Sequence, residues 1–205
     1  LLAVLVGPPI AGFMRYLGDV VNHATRLQPF WMGIAVSAIM SFVLFSPLSS
    51  AALSIMLQLS GLAAGAATAG CCASMIGYAA ASWRDNKIGG ILAQALGTSM
   101  LQIGNTIRHP QILIPSTLAA VIVGPLSTLV FRMENNYMGA GMGTSGLVGQ
   151  ITTYATMSGS MSPVLLIVYM VLLHFLIPAL ISLLCYELMY RKGWIKAGYL
   201  TLPEI

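Results

Sequence analysis

Charge is scarce in this sequence, and the scarcity decides its class. Nine Lys or Arg and five Asp or Glu make up 7% of 205 residues, against 58% hydrophobic residues. Soluble domains carry about a quarter charged residues. So few charges cannot cover a water-facing surface of this size, which leaves an integral membrane protein. The basic residues also never gather on one face. Arg15 and Arg26, Arg84 and Lys87, Arg108, Arg132, and then Arg191, Lys192 and Lys196 fall between apolar runs. That is the placement of membrane-flanking charge, and it excludes the clustered basic surface of a nucleic-acid binder.

Cysteine is equally sparse. Cys71 and Cys72 are neighbours in one apolar run and Cys185 lies in another. Neither has metal-ligand spacing, so they read as small packing residues. The sequence calls for no metal and no cofactor. The chain opens at Leu1, inside an apolar run, without the basic region or cleavage site of a signal peptide. It is expected to be part of a longer protein that has further N-terminal helices.

A spanning helix needs about 20 apolar residues. Residues 1–14 read as the end of such a helix. In 15–28, Leu17, Val20, Val21, Ala24 and Leu27 share a stripe away from Asp19, Asn22, His23 and Arg26, as in a helix lying in the membrane interface. Spans are expected over 29–59, broken near Pro47, and over 61–83, which is rich in Gly and Ala. Two cleaner spans follow at 111–131 and 163–189. Before each of these lies a segment too polar and glycine-rich to cross as a tidy helix. Residues 88–105 carry Gln94, Thr98, Ser99, Gln102 and Asn105, and residues 136–161 carry a run of glycines. Reading both as re-entrant hairpins, dipping from opposite sides, puts residues 15, 26, 84, 87, 191, 192 and 196 in the cytoplasm, together with the C-terminus. That agrees with the positive-inside rule.

The second hairpin contains Gly141-Met142-Gly143-Thr144-Ser145-Gly146, a G-x-G-x-x-G pattern. A dinucleotide turn needs a strand before it and an acid about 20 residues on. Residues 132–138 are not strand-like and residues 161–171 hold no acid. Two readings of the glycines remain. They form a close helix contact, or they let non-helical backbone line a cavity at membrane depth. In the second case a half-helix starting near Thr144 offers free N–H groups, with Thr144, Ser145 and Gln150 beside them. Such groups suit a neutral, hydroxyl-rich ligand; an ion path favours acids. The other hairpin favours the cavity. It ends in Gln102, Asn105, Arg108 and His109, and paired broken segments are the best sequence pointer to a transporter site. The expected lining is Gln102, Asn105, His109, Asn135, Asn136, Thr144, Ser145 and Gln150, opened by Gly141, Gly143 and Gly146. His174, mid-span, is expected to hydrogen-bond within the bundle.

Residues 104–150 resemble the signature region of the IIC-type membrane subunit of bacterial phosphotransferase systems. "HPQILIP", 109–115, is similar to the "NPxxxIP" stretch of lactose and chitobiose carriers. More narrowly, the chain is similar to a branch described as toxin regulators. The resemblance implies a polytopic all-α carrier in the bacterial cytoplasmic membrane, homodimeric and in contact with lipid. It would bind a sugar between two hairpins and work with a cytoplasmic IIB-type partner. Better-known members place a Glu in the first hairpin. Here "LQIGNTIRHP" has Gln102 and Asn105 but no acid, so no catalytic residue is assigned. A membrane sensor on the same scaffold, binding a small ligand or lipid without phosphorylating it, is the alternative.

Overall fold

The computed structural model describes residues 2–202, with side chains from residue 8 onward; Leu1 lies outside that range. All regular elements are helical, and among the described residues the one β-type contact is an isolated bridge between Gly61 and Asn135. Among the described residues, three helices are long and apolar enough to cross a membrane: α4 (Gly61–Ala81), α7 (Pro110–Val130) and α10 (Pro163–Arg191). The chain is thus an all-α membrane protein.

The stretches read as a span end and an interfacial helix lie in one helix, α1 (Leu2–Leu27), which holds Pro8 and Pro9 within it. Its inward face is Leu17, Gly18, Val21 and Thr25, while Val20 and Leu27 point outward. Gly18 sets this orientation by lying against the backbone of Leu57, where a side chain would not fit. The expected break at Pro47 is present. α2 (Pro29–Phe45) stops there, and α3 (Ser50–Met56) starts under a cap from the Ser49 hydroxyl to the Ala52 N–H.

α4 is the axis of the molecule. The most apolar window of α4 is 94% buried, against 28% for that of α10. Its Ala and Gly residues leave almost no side chain, so α2, α7 and α10 pack close to its backbone. A Cβ on Gly65 would strike the Met133 carbonyl, and one on Gly70 would strike the Ser37 carbonyl.

The partners of α4 give each helix its direction. Ser37 lies on Gly70, the Cys71 Sγ is 3.7 Å from the Met40 carbonyl, and the Phe45 and Tyr78 rings stack at 5.7 Å. α2 therefore runs parallel to α4. α7 runs against it, with Ser116 beside Gly77 and Met133 beside Gly65, and α10 runs with it, its Ser182 beside Gly77. This corrects one expectation. Residues 29–59 do not make a single crossing that α4 reverses. The return runs through residues 46–60, by way of α3. The Ser50 hydroxyl donates to the Gly141 carbonyl at 2.6 Å and the Ser54 hydroxyl to the Tyr137 carbonyl at 2.9 Å. As a result Arg26 lies beside Gly61, at the end of α4 opposite Arg84. Helix propensity and charge cannot reveal this, because the returning segment is short and irregular.

α7 and α10 each widen by a π-turn, at Leu126–Val130 and Leu172–Leu176. Pro125 precedes the first and Pro178 follows the second. Each lacks an N–H for the helical ladder, which a wider turn accommodates.

The tightness of α4 has a direct consequence. Gly70→Val should destabilise the protein by about 1–3 kcal/mol or more through overpacking. Gly89, in the open, should accept Ala without loss. Thermal denaturation in detergent would distinguish the two variants; equal behaviour would contradict the packing described.

Candidate site between two broken segments

Two interrupted segments flank α4. The first comprises α5 (Ile88–Gly97), a tight turn at Ser99–Gln102 and α6 (Ile103–Arg108). It begins beside the Ala81 end of α4, where Gln94 Nε2 donates to the Ser82 hydroxyl at 2.8 Å. It reaches the level of Ser74, whose hydroxyl is 2.9 Å from that of Ser99. It then returns to Tyr78, whose hydroxyl is 3.2 Å from that of Thr106. Thr98 starts the return by accepting the Met100 N–H on its hydroxyl. Gly97 ends α5 in a π-turn.

The second comprises α8 (Tyr137–Ala140), a glycine-rich turn and α9 (Val148–Met157). It begins at the Gly61 end of α4, where the Asn135 N–H donates to the Gly61 carbonyl. Asn136 caps α8 by accepting from the N–H groups of Met138 and Gly139. Gly143, with φ +54°, lets the chain turn against the backbone of Cys71. Gly146 and Leu147 take left-handed angles of +51° and +59° and aim the chain back. A β-branched residue there would be strained. α9 returns to the starting level, where the Asn136 amide donates to the Thr156 hydroxyl at 3.1 Å.

The tips meet beside the middle of α4. The buried Thr144 hydroxyl donates to the Ala95 carbonyl and lies 3.5 Å from the Met75 sulfur. One layer away, Gln150 Nε2 contacts the Cys72 sulfur at 3.4 Å and His174 Nδ1 at 3.2 Å. Gln150 Oε1 and His174 Nε2 are buried without a hydrogen-bond partner among the described residues. The π-turn of α10 carries His174 to this position.

The residues expected to form one lining divide into four groups. Thr144, Ser145 and Gly146 make the second tip with Gly143, and Gln150 stands behind them. Gly141 and Asn136 support that tip from outside, through Ser50 and the α8 cap. The buried Asn135 donates to the Thr68 hydroxyl at 2.8 Å and to the Gly149 carbonyl at 3.2 Å, closing the base of the segment. Gln102, Asn105 and His109 lie on the returning arm of the first segment and face the C-terminal residues. Gln102 Nε2 donates to the Leu200 carbonyl, the Asn105 amide to the Thr201 carbonyl, each at 2.8 Å, and the His109 ring stacks on Tyr199 at 3.7 Å. Residues outside the expected set also take part: Thr68, Cys72, Ser74, Gln94, Ser99 and His174. For Thr68, Cys72 and Ser74 a helical spacing was the signal. Positions 68, 72 and 75, and 74, 78 and 82, form two stripes on α4.

The tip contact is testable. Thr144→Val keeps the shape but leaves the Ala95 carbonyl unpaired, at a cost of about 1–3 kcal/mol. Amide exchange should quicken at 93–99 and 143–147 and stay unchanged through α4. Uniform quickening would mean the tips are not a local unit.

A family description, phosphotransferase system EIIC, matches residues 1–202. No curated protein and no solved structure matches the chain. A match over nearly the whole chain, on a helical membrane fold with paired broken segments, assigns the protein: it belongs to the phosphotransferase system EIIC family.

Proposed function

We propose that this membrane component of a phosphotransferase system binds a neutral sugar or polyol between the two broken segments and passes it across the bacterial inner membrane by alternating access. What supports the reading is the contact of Thr144 with Ala95, where segments approaching from opposite ends of α4 touch. In this reading each segment is a re-entrant hairpin, and the tips separate the two aqueous sides. Backbone at that depth needs protein or solute partners.

The chemistry near the tips is neutral. No Asp or Glu occurs in 88–131 or 136–186. Amides, hydroxyls and the imidazoles of His109 and His174 remain, which both donate to and accept from solute hydroxyls. Gln150, Ser145 and Thr144 hold the solute in this proposal, with the glycines of 141–146 giving access to backbone N–H groups. Gln102, Asn105, His109, Asn135 and Asn136 complete the lining as the segments move. Without a carboxylate near the tips the chain contributes binding and passage and no base. Phosphoryl transfer falls to a cytoplasmic IIB-type partner, and the carrier works as a homodimer in contact with lipid. Arg84, Lys87, Arg108, Arg191, Lys192 and Lys196 share the Ala81 end of α4, and the positive-inside rule assigns that end, with the C-terminus, to the cytoplasm. The same lack of a carboxylate favours one second reading, a sensor that binds the solute without its modification.

The test is direct. Purified protein in lipid vesicles would be offered labelled glucose, N-acetylglucosamine and sorbitol. At least one should bind and exchange across the vesicle. Gln150→Ala and Ser145→Ala should each weaken binding about tenfold, equivalent to about 1.4 kcal/mol. Binding without exchange would favour the sensor. Co-purified lipid with no binding of any probe would end the carrier reading.

A further inference from the structure

The C-terminal residues past α10 make an unusual set of contacts. After Arg191 the chain turns at Gly193, buries Ile195 against the Ala81 end of the bundle, and then runs along the first broken segment. From Gly198 to Leu202 its backbone is held by side chains. The two carboxylate oxygens of Asp85 accept the N–H groups of Gly198 and Leu200, at 2.9 and 3.0 Å. The Asn86 amide donates to the Leu200 carbonyl and accepts the Leu202 N–H, both at 2.8 Å. Gln102 and Asn105 donate to the carbonyls of Leu200 and Thr201. Tyr199 lies flat on His109, the rings 2° from parallel.

The amide N–H groups of Gln102 and Asn105 are thereby engaged. Gln102 Nε2 also donates to Gln94 Oε1 at 2.9 Å, and its own oxygen accepts from the Asn105 amide at 2.7 Å. The chain Ser82–Gln94–Gln102–Asn105 ends on the C-terminal backbone, so the returning arm is tied at both its ends to that peptide. These ties differ from those of the bundle. Helix α4 is gripped by buried neighbours, whereas the outer C-terminal contacts lie at the edge of the bundle, where Asp85, Asn86 and Asn105 are only half-buried; Gln102 and Leu200 beneath them are fully buried. Water can replace the outer contacts at small net cost, and release then uncovers Leu200 and frees the buried Gln102 amide.

We propose that Gly198–Leu202 is a releasable strap. Closed, it fixes the first segment and occupies the amides of Gln102 and Asn105. Released, it frees the segment to move and those amides to meet a solute. The second half of the proposal rests on the solute reading above; the first half does not.

The experiment uses the whole chain in lipid nanodiscs, with amide exchange read by mass spectrometry. Asp85→Ala removes two strap contacts and touches no proposed solute group, and Tyr199→Ala removes the stacking on His109. Exchange across 94–108 should rise about tenfold in each, with α4 unchanged, as expected of local opening. A cross-link between Asn86→Cys and Leu202→Cys, with Cys71, Cys72 and Cys185 replaced by Ala, should slow exchange there below the uncross-linked level until dithiothreitol is added. Unchanged exchange, or equal acceleration in α4, would overturn the strap. Sorbitol, glucose and N-acetylglucosamine binding forms the second arm. Asp85→Ala should tighten whichever probe binds; equal or weaker binding would overturn the competition. If no probe binds any of the proteins, the solute reading falls and the exchange result alone decides the strap.

Discussion

A polar group inside a hydrocarbon layer needs a partner, and in this fold α4 brings the partners together. At about 100° per residue, Thr68, Cys72 and Met75 share one stripe, and Ser74, Tyr78 and Ser82 share another about a quarter-turn away. The first stripe meets Asn135, Gln150 and Thr144 of the second broken segment. The second stripe meets Ser99, Thr106 and Gln94 of the first. One buried helix thus positions both interrupted segments and brings their tips to the same depth. Any change in the rotation of α4 would turn both stripes away together.

The small residues of α4 serve the same end. They remove the side chains that would keep α2, α7 and the loops at a distance. Backbone then lies on backbone at Gly65 and Gly70, and the turn at Gly143 can rest on Cys71. The cost of that design is low tolerance: most of the α4 surface has no room for an added methyl group. The largely exposed helix α10 works under the opposite rule. It carries large apolar side chains outward, and turns inward His174 and Ser182 among its few polar groups.

Where the chain is irregular, its polar groups stay satisfied by short local bonds. Asn136 caps α8, Thr98 starts the return of the first segment, and Asn135 joins three elements. Four buried side-chain atoms among the described residues lack a partner: Ser127 Oγ, Tyr186 Oη, Gln150 Oε1 and His174 Nε2, and the last two lie together next to the second tip.

Much of this was legible in the residues themselves. Scarce charge and long apolar runs fixed a helical membrane protein, Pro47 fixed the break after α2, and Gln102 with the 139–149 glycines marked the two segments that do not form ordinary spans. Those features are local, because a helix, a cap or a glycine turn depends on neighbours within a few positions. The parallel course of α2 and α4, the return through 46–60, and the meeting of Asp85 and Asn105 with the C-terminal backbone were decided only by the tertiary structure. Each joins residues far apart in sequence, such as Asp85 and Leu200, and depends on shape and direction that composition does not carry. Sequence determined which groups must find partners inside the membrane; packing around one slender helix decided which partners they found.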